Sequence, residues 1–382
     1  MARSSTRSIL NFLAGRLLFP EKVNVQHLNS SDKNKGTETN MHYQIIKQIP
    51  TYIGFAVYVA ETPSGEQVVI KRAETELDKQ KLQKYVQHVQ EMQELVNEKL
   101  VYPTLLHYDG YELIMPFYRW GRIDEVGDKA VLRDLTLQAI DTLFRIAAIE
   151  TVSMPSVEER LRFSRSSIVY EAISRLDRLE RAFKENSLAR KWVSGNKVEG
   201  AMDANGLIKN LTSWITDGSL EQVATRVAAP SLGLASHGDF TLSNVLLREP
   251  ASSDAAIVFI DTRARWFSGL PWWDPVMDLA TLLVFHCRFE PALSDLEHES
   301  AHVYYRLSEK EILNICFSSK SFQNWINHDP LWLKRLQIHL AIRLLGNISS
   351  QLTVASENQV ERATIALGLF AEQVGRVRDT IS

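Results

Sequence analysis

Cysteine is scarce: Cys287 and Cys316 are the only two in 382 residues. That excludes the disulfide framework of a small secreted domain. Each stands in an apolar run, LLVFHCRF and ILNICF, which predicts buried free thiols and a reducing, cytoplasmic setting. An excess of either charge is lacking too. Lysine and arginine total 43 against 46 acidic residues, a net of −3. The signs interleave along the chain, so no basic footprint for nucleic acid is present. No stretch approaches 18 apolar residues, and the sequence therefore predicts no membrane span. What remains, 45% hydrophobic and 23% charged residues, is the balance of an ordinary folded protein and excludes wholesale disorder.

The N-terminus has no acid before Glu21 but three arginines, in MARSSTRSILNFLAGRLLFPEK. This composition is reminiscent of a transit peptide. Asn11 and Arg16 break its apolar runs, which fits a short helix or a frayed extension better. Residues 29–40, NSSDKNKGTETN, are small, polar and unpatterned, as in a linker. Residues 1–42 are accordingly expected to be an N-terminal extension.

From Tyr43 the pattern turns β-like. GFAVYVAE and EQVVIKRA are β-branched and aromatic runs separated by Thr62-Pro63-Ser64-Gly65, which predicts a β-hairpin. Between residues 74 and 100, apolar residues at Leu82, Val86, Val89, Met92, Val96 and Leu100 step by threes and fours, the spacing of an amphipathic helix. A second hairpin follows in LLHYDGYELIMPFY, with Asp109-Gly110 at its turn. Helical patterns then dominate 130–150, 156–192 and 206–228. Strands return in VLLRE and AAIVFID, and helices resume from Asp274 to the end. The expected fold class is α+β and two-lobed: a small β-rich lobe at 43–118 and a large helical lobe at 119–382 with one embedded hairpin.

SHGDFTLSNVLLRE places Asp239 five residues before Asn244, and AAIVFID ends at Asp261. If VLL and IVF pair as a hairpin, Asn244 and Asp261 emerge at one end of it, with Asp239 in the loop just before. Such oxygen-rich groups suit a hard cation such as Mg²⁺ shared with substrate phosphates. Phosphoryl transfer also wants a lysine on the phosphates, and Lys71 closes the strand VVIK. Alone, Asp239 and Asn244 would be turn caps and Lys71 a solvated strand end. Their shared register gives them meaning.

These pieces resemble the H-G-D-x(4)-N…I-D signature of the aminoglycoside phosphotransferase and choline kinase-like family, relatives of the protein kinases. WWDPVMDLATLL resembles that family's G-D-P-x-x-D-L-A segment, with Trp273 where glycine is usual. The match runs in order from about residue 45 to 290. It implies a protein-kinase-like fold and transfer of the γ-phosphoryl group of ATP, with Mg²⁺, to a hydroxyl of a small molecule such as a sugar or antibiotic. Nucleic acid and membrane are not expected partners. It also implies roles: Asp239 orients or deprotonates the acceptor hydroxyl, Asn244 and Asp261 bind Mg²⁺, and Lys71 contacts the phosphates. His237 and Asp278 brace the loop, and the backbone of Met115 to Phe117 holds adenine.

The sequence departs from the family pattern in places. Thr262 and Arg263 follow Asp261 where Phe and Gly are usual in D-F-G, and no G-x-G-x-x-G occurs, which leaves Gly54 as the phosphate-covering turn. Among Glu91, Glu94 and Glu98, Glu94 lies nearest the apolar stripe and is the expected partner of Lys71. Arg263 and Arg265 would neutralise an anionic acceptor or pair with surface acids; Trp266, Trp272 and Trp273 would pack in the core or line the acceptor cleft. The acceptor-selecting region is expected at about 120–230.

Three other functions stay in view. A protein kinase is disfavoured because Gly238 replaces the arginine of H-R-D. A non-catalytic pseudokinase would have lost one of four groups that are all present. His298-Glu299-Ser300-Ala301-His302 matches the H-E-x-x-H zinc motif, but its surroundings are polar and no third ligand is evident.

Overall fold

The computed structural model describes residues 43–49, 55–96, 101–149, 155–195, 204–234, 236–252, 255–263, 272–289, 307–354 and 357–381. All of them lie within one compact unit, Tyr43–Ser382.

Five antiparallel strands form the small lobe: β1 (Gln44–Ile49), β2 (Phe55–Glu61), β3 (Gln67–Ala73), β4 (His107–Tyr108) and β5 (Glu112–Pro116), in the order β1-β2-β3-β5-β4. The β2–β3 hairpin closes as its turn residues dictate. Gly65 donates its N–H to the Thr62 carbonyl at 2.9 Å with φ +83°, a backbone state glycine takes without steric cost. At the second turn Asp109 Oδ1 accepts the N–H groups of Tyr111 (2.8 Å) and Glu112 (2.7 Å). That side-chain turn sets β4 against β5. The edge strand β1 is exposed except at Ile49 and gives almost no burial pattern to read.

Helix α1 (Glu76–Leu95) starts where Thr75 accepts the Asp78 N–H at 3.1 Å, an N-cap bond. Its stripe of Leu82, Val86, Val89 and Met92 is buried, as is Val96 just beyond it, and Tyr85 joins the same face. Leu100 lies outside the described residues.

The large lobe is helical: α2 (Lys129–Ala147), α3 (Val157–Arg165), α4 (Glu171–Glu185), α5 (Ser187–Gly195), α6 (Ala204–Thr216), α7 (Ser219–Arg226), α8 (Val276–Leu282), α9 (Glu309–Ser318), α10 (Lys320–Ile326), α11 (Trp332–Val354) and α12 (Glu357–Ile381). Two short ladders are set into it. The predicted hairpin is β7 (Val245–Leu247) on β8 (Ile257–Phe259). The other, β6 (Gly233–Leu234) on β9 (Trp272–Trp273), is too short to show a period. At Gly233 a Cβ would lie 2.1 Å from the Ala147 carbonyl oxygen, so β6 meets the end of α2 only through a glycine. The result is the α+β, two-part architecture expected from the sequence.

A charged knot holds the large lobe. Arg335 on α11, 2% exposed, donates from Nε to Asp274 Oδ2 at 2.7 Å, from Nη1 to Asp329 Oδ1 at 2.9 Å and from Nη2 to Asp329 Oδ2. Asp274 in turn accepts the Val276 N–H at 3.1 Å and so fixes the start of α8. Cys316 is buried and Cys287 half-buried, and both are free thiols. No helix among the described residues is long and apolar enough to cross a membrane.

Candidate active site

The loop between β6 and β7 is held from behind at every step. Tyr102 donates its hydroxyl to the Ser236 carbonyl at 2.7 Å. His237 is fully buried against the rings of Phe240 and Phe259, with centroids at 5.6 and 5.5 Å. Its Nδ1 accepts the Asp239 N–H at 3.3 Å, so the neutral ring carries its proton on Nε2. Gly238 has φ +87°, which turns its N–H onto Asp278 Oδ1 at 2.8 Å, while its carbonyl accepts Arg343 Nη2 at 3.3 Å. Asp278 Oδ2 accepts the Trp273 indole N–H at 2.8 Å. Trp273, the departure from the family's glycine, is thus a hydrogen-bond donor to the loop's brace. Burial pushes the Asp278 carboxyl up to about 7, against the pull of Arg343 and of the N–H groups of Trp273, Gly238 and Phe240.

Burial lowers the His237 imidazole to about 4, with Asp239 and Asp261 pulling the other way. The ring is therefore neutral at pH 7. The unfolded chain binds this proton at higher pH than the folded one, so stability is lost as pH falls from the unfolded value near 6.5 towards 4. Between pH 6.5 and 5 this group costs about 1.6 kcal/mol. Urea unfolding at the two pH values is expected to show a loss larger by that amount in the wild type than in His237→Gln.

The β7–β8 ladder brings the metal-ligand candidates together. Val245 pairs with Phe259, and Ile260 donates its N–H to the Asn244 carbonyl at 3.0 Å, so Asn244 and Asp261 leave at the same end. Asn244 Nδ2 donates to the Asp239 carbonyl at 2.9 Å, which turns the amide nitrogen inward and leaves the amide oxygen as the remaining acceptor. Asp261 has φ +56°, a left-handed conformation that aspartate tolerates better than most residues. Lys71 donates to Asp261 Oδ1. Burial would raise the Asp261 carboxyl, but Lys71 and then Arg263 outweigh it and hold the group below the usual carboxylate range.

Several sequence expectations are corrected here. Lys71 is 5% exposed within β3, between Val57 and Leu113 of the neighbouring strands, and its carboxylate partner is Asp261, not Glu94. Glu94 is exposed on the far face of α1, because the inward face is filled by apolar residues, Tyr85 and His88. Lys71 Nζ lies 4.8 Å from the Tyr85 ring centroid, a cation–π contact that the sequence reading missed. Phe117 donates its N–H to the Gln67 carbonyl at 3.2 Å and Met115 pairs with Val69, so both backbones are turned towards β3. In a trans peptide the Pro116 carbonyl then faces the opposite side. Trp272 is 7% exposed in an apolar cluster with Phe163, Ala229, Leu232, Trp273 and Met277. Gly54, Arg265, Trp266, Glu98 and the His298–His302 motif lie outside the described residues.

Asp239 opens into a cleft of about 330 Å³. Arg263 Nη1 lies 3.3 Å from Asp239 Oδ2, and Arg175, Arg343, Asn347 and Arg362 line the rest with Gln351. Most of this wall comes from α11 and α12 rather than from residues 120–230, of which Arg175 on α4 is the contribution. On α11 a polar ridge runs Arg335, His339, Arg343, Asn347, Gln351 at every fourth residue, the row that lies along one side of a helix.

No protein-family model and no curated protein matches the sequence. Solved structures do match. An ethanolamine kinase of Plasmodium vivax superposes with a TM-score of 0.52 at 12% identity, over 88% of this chain and 83% of its own. A choline kinase from Cryptosporidium parvum Iowa II gives 0.51 at 13% identity, over 91% and 92%. A macrolide 2'-phosphotransferase type I gives 0.50 at 12%, over 84% and 91%. The chain therefore has the protein-kinase-like fold of these small-molecule kinases, the fold that its sequence motifs resemble.

Proposed function

We propose that the protein transfers the γ-phosphoryl group of ATP to a hydroxyl of a small molecule. One observation carries this reading: Asp239, Asn244, Asp261 and Lys71 converge at one end of the β7–β8 ladder, where Lys71 bonds Asp261 and Asn244 bonds the Asp239 backbone. The acceptor oxygen bonds to the γ-phosphorus as the bond to the β-phosphate oxygen breaks, ADP leaves with that electron pair, and the hydroxyl proton passes to the Asp239 carboxylate. Lys71 binds the phosphates and the Pro116 carbonyl receives the adenine amino group. Rate enhancement comes from positioning and charge neutralisation.

The donors fit Mg²⁺. An amide oxygen of Asn244 and a carboxylate of Asp261 are hard ligands, and among the described residues no cluster of three His, Cys, Asp or Glu side chains forms a self-sufficient metal cage. A cation held by one or two protein groups and shared with phosphates is the Mg²⁺ mode. When bound, it neutralises charge on the phosphates.

Nucleotide affinity tests this reading. Calorimetric titration with MgATP is expected to show binding that Lys71→Met weakens about 10- to 100-fold, the worth of a charge-assisted hydrogen bond. Equal affinity in the two proteins would remove Lys71 from the site.

A further inference from the structure

The cleft beside Asp239 has a charge of its own. Its described lining holds four arginines, Arg175, Arg263, Arg343 and Arg362, and one acid, Asp239. Glu171 stands behind, 2.9 Å from Arg175. Counting it, the wall still carries two more positive charges than negative. Neither Lys71 nor Asp261 lines this cleft, so the arginines of α4, α11 and α12 lie on the acceptor's side of Asp239 and not on the nucleotide's.

Burial acts in the same direction. The Arg343 guanidinium is shifted down by desolvation, with Asp239 pulling it back up, and it is fixed to the loop by its bond to the Gly238 carbonyl. One turn along α11, Asn347 is 8% exposed, lines the cleft, and its Nδ2 has no hydrogen-bond partner. A buried donor without a partner is costly, and one beside a cluster of arginines is satisfied by an oxygen anion. Gly346 keeps the space open: a Cβ there would come 3.2 Å from Arg175 Nε. The ridge thus presents a donor set, fixed by packing, in a pocket whose field attracts anions.

We propose that the acceptor is a hydroxyl compound bearing a carboxylate or a phosphate, held by Arg175, Arg343, Asn347 and Arg362 so that its hydroxyl reaches Asp239. The inference rests on the phosphotransferase reading but names what that reading leaves open. Arginine forks match both carboxylate and phosphate oxygens. An amino alcohol would instead bring a cation against the arginines. The group-transfer step is the one described above, and the anionic group takes no part in the bonds made or broken.

Four small hydroxyl compounds serve as probes in the presence of MgADP: glycerate, glycerol 3-phosphate, glycerol and ethanolamine. Calorimetric titration of the full chain is expected to show binding of glycerate or glycerol 3-phosphate at least tenfold tighter than glycerol, and no binding of ethanolamine. Whichever anion binds distinguishes carboxylate from phosphate. Arg362→Gln should lower that affinity about tenfold or more, and Arg175→Gln gives the same reading should the first variant fail to fold. Equal binding of all four compounds overturns the proposal, as does tighter binding of ethanolamine or an affinity indifferent to both substitutions. A loss confined to MgATP affinity would also overturn it, by assigning these arginines to the nucleotide. Failure of MgATP to bind the wild type sinks the phosphotransferase reading instead. Phosphorylation of an amino alcohol would preserve that reading and remove this inference.

Discussion

Asp239→Asn is expected to lower phosphoryl transfer by about 10²- to 10⁴-fold, the contribution of a positioned general base, while leaving the fold intact. The substitution keeps the shape of the side chain and removes its ability to take a proton. The loop does not depend on that carboxylate. Asp239's backbone carbonyl accepts Asn244 Nδ2 at 2.9 Å, its N–H goes to His237 Nδ1 at 3.3 Å, and the neighbouring Gly238 is pinned by Asp278 and Arg343. Among the described residues the ion pair lost is to Arg263 at 3.3 Å, whose side chain is 43% exposed. Such a pair is worth under about 1 kcal/mol. Activity should therefore collapse with little change in melting temperature. Transfer at the wild-type rate in Asp239→Asn would remove Asp239 from the chemistry.

Arg335→Leu is expected to cost about 3–5 kcal/mol of stability, the range for breaking a buried ion pair by removing one partner. Both carboxylates it leaves, on Asp274 and Asp329, are 2% exposed or less. Arg335→Lys should recover part of the loss, because a lysine keeps the charge but cannot reproduce the planar fork that meets Asp329 with two nitrogens and Asp274 with a third. The damage should reach the active site. Asp274 anchors the start of α8, and α8 carries Asp278, which holds Gly238. Urea midpoints ordered wild type, Lys, Leu would support this account; a leucine variant as stable as the wild type would contradict it.

The sequence showed most where the information is local. The two hairpin turns of the small lobe, the stripe of α1 and the Asp239–Asn244 loop each fit within a short window of residues, and each is where the pattern puts it. Partners far apart in the chain were harder to read. Lys71 and Asp261 are 190 residues apart, and a family habit suggested a glutamate on α1 in place of the aspartate. The α1 face that would carry such a glutamate carries Tyr85 instead, and an aromatic residue in an apolar stripe gives no sign that it lies beneath a lysine. Trp273 was legible as a departure but not as a donor, since its bond to Asp278 depends on the short β6–β9 ladder.

The polar ridge of α11 escaped for another reason. Arg335, His339, Arg343, Asn347 and Gln351 look like the solvated face of an amphipathic helix, yet α11 is covered on that side too. The available signal was the fourfold spacing of polar residues, each set among leucines and isoleucines with few lysines or glutamates nearby. A solvated face usually mixes both charges, whereas this row holds no acid.

The central claim is tested most directly by following the acceptor itself. Wild-type protein with MgATP and a panel of hydroxyl compounds, read by mass spectrometry for ADP and the phosphorylated product, is predicted to give both in equal amounts with at least one acceptor. Nucleotide that binds but yields no phosphorylated product with any compound across carboxylates, phosphates, sugars and amino alcohols would contradict it.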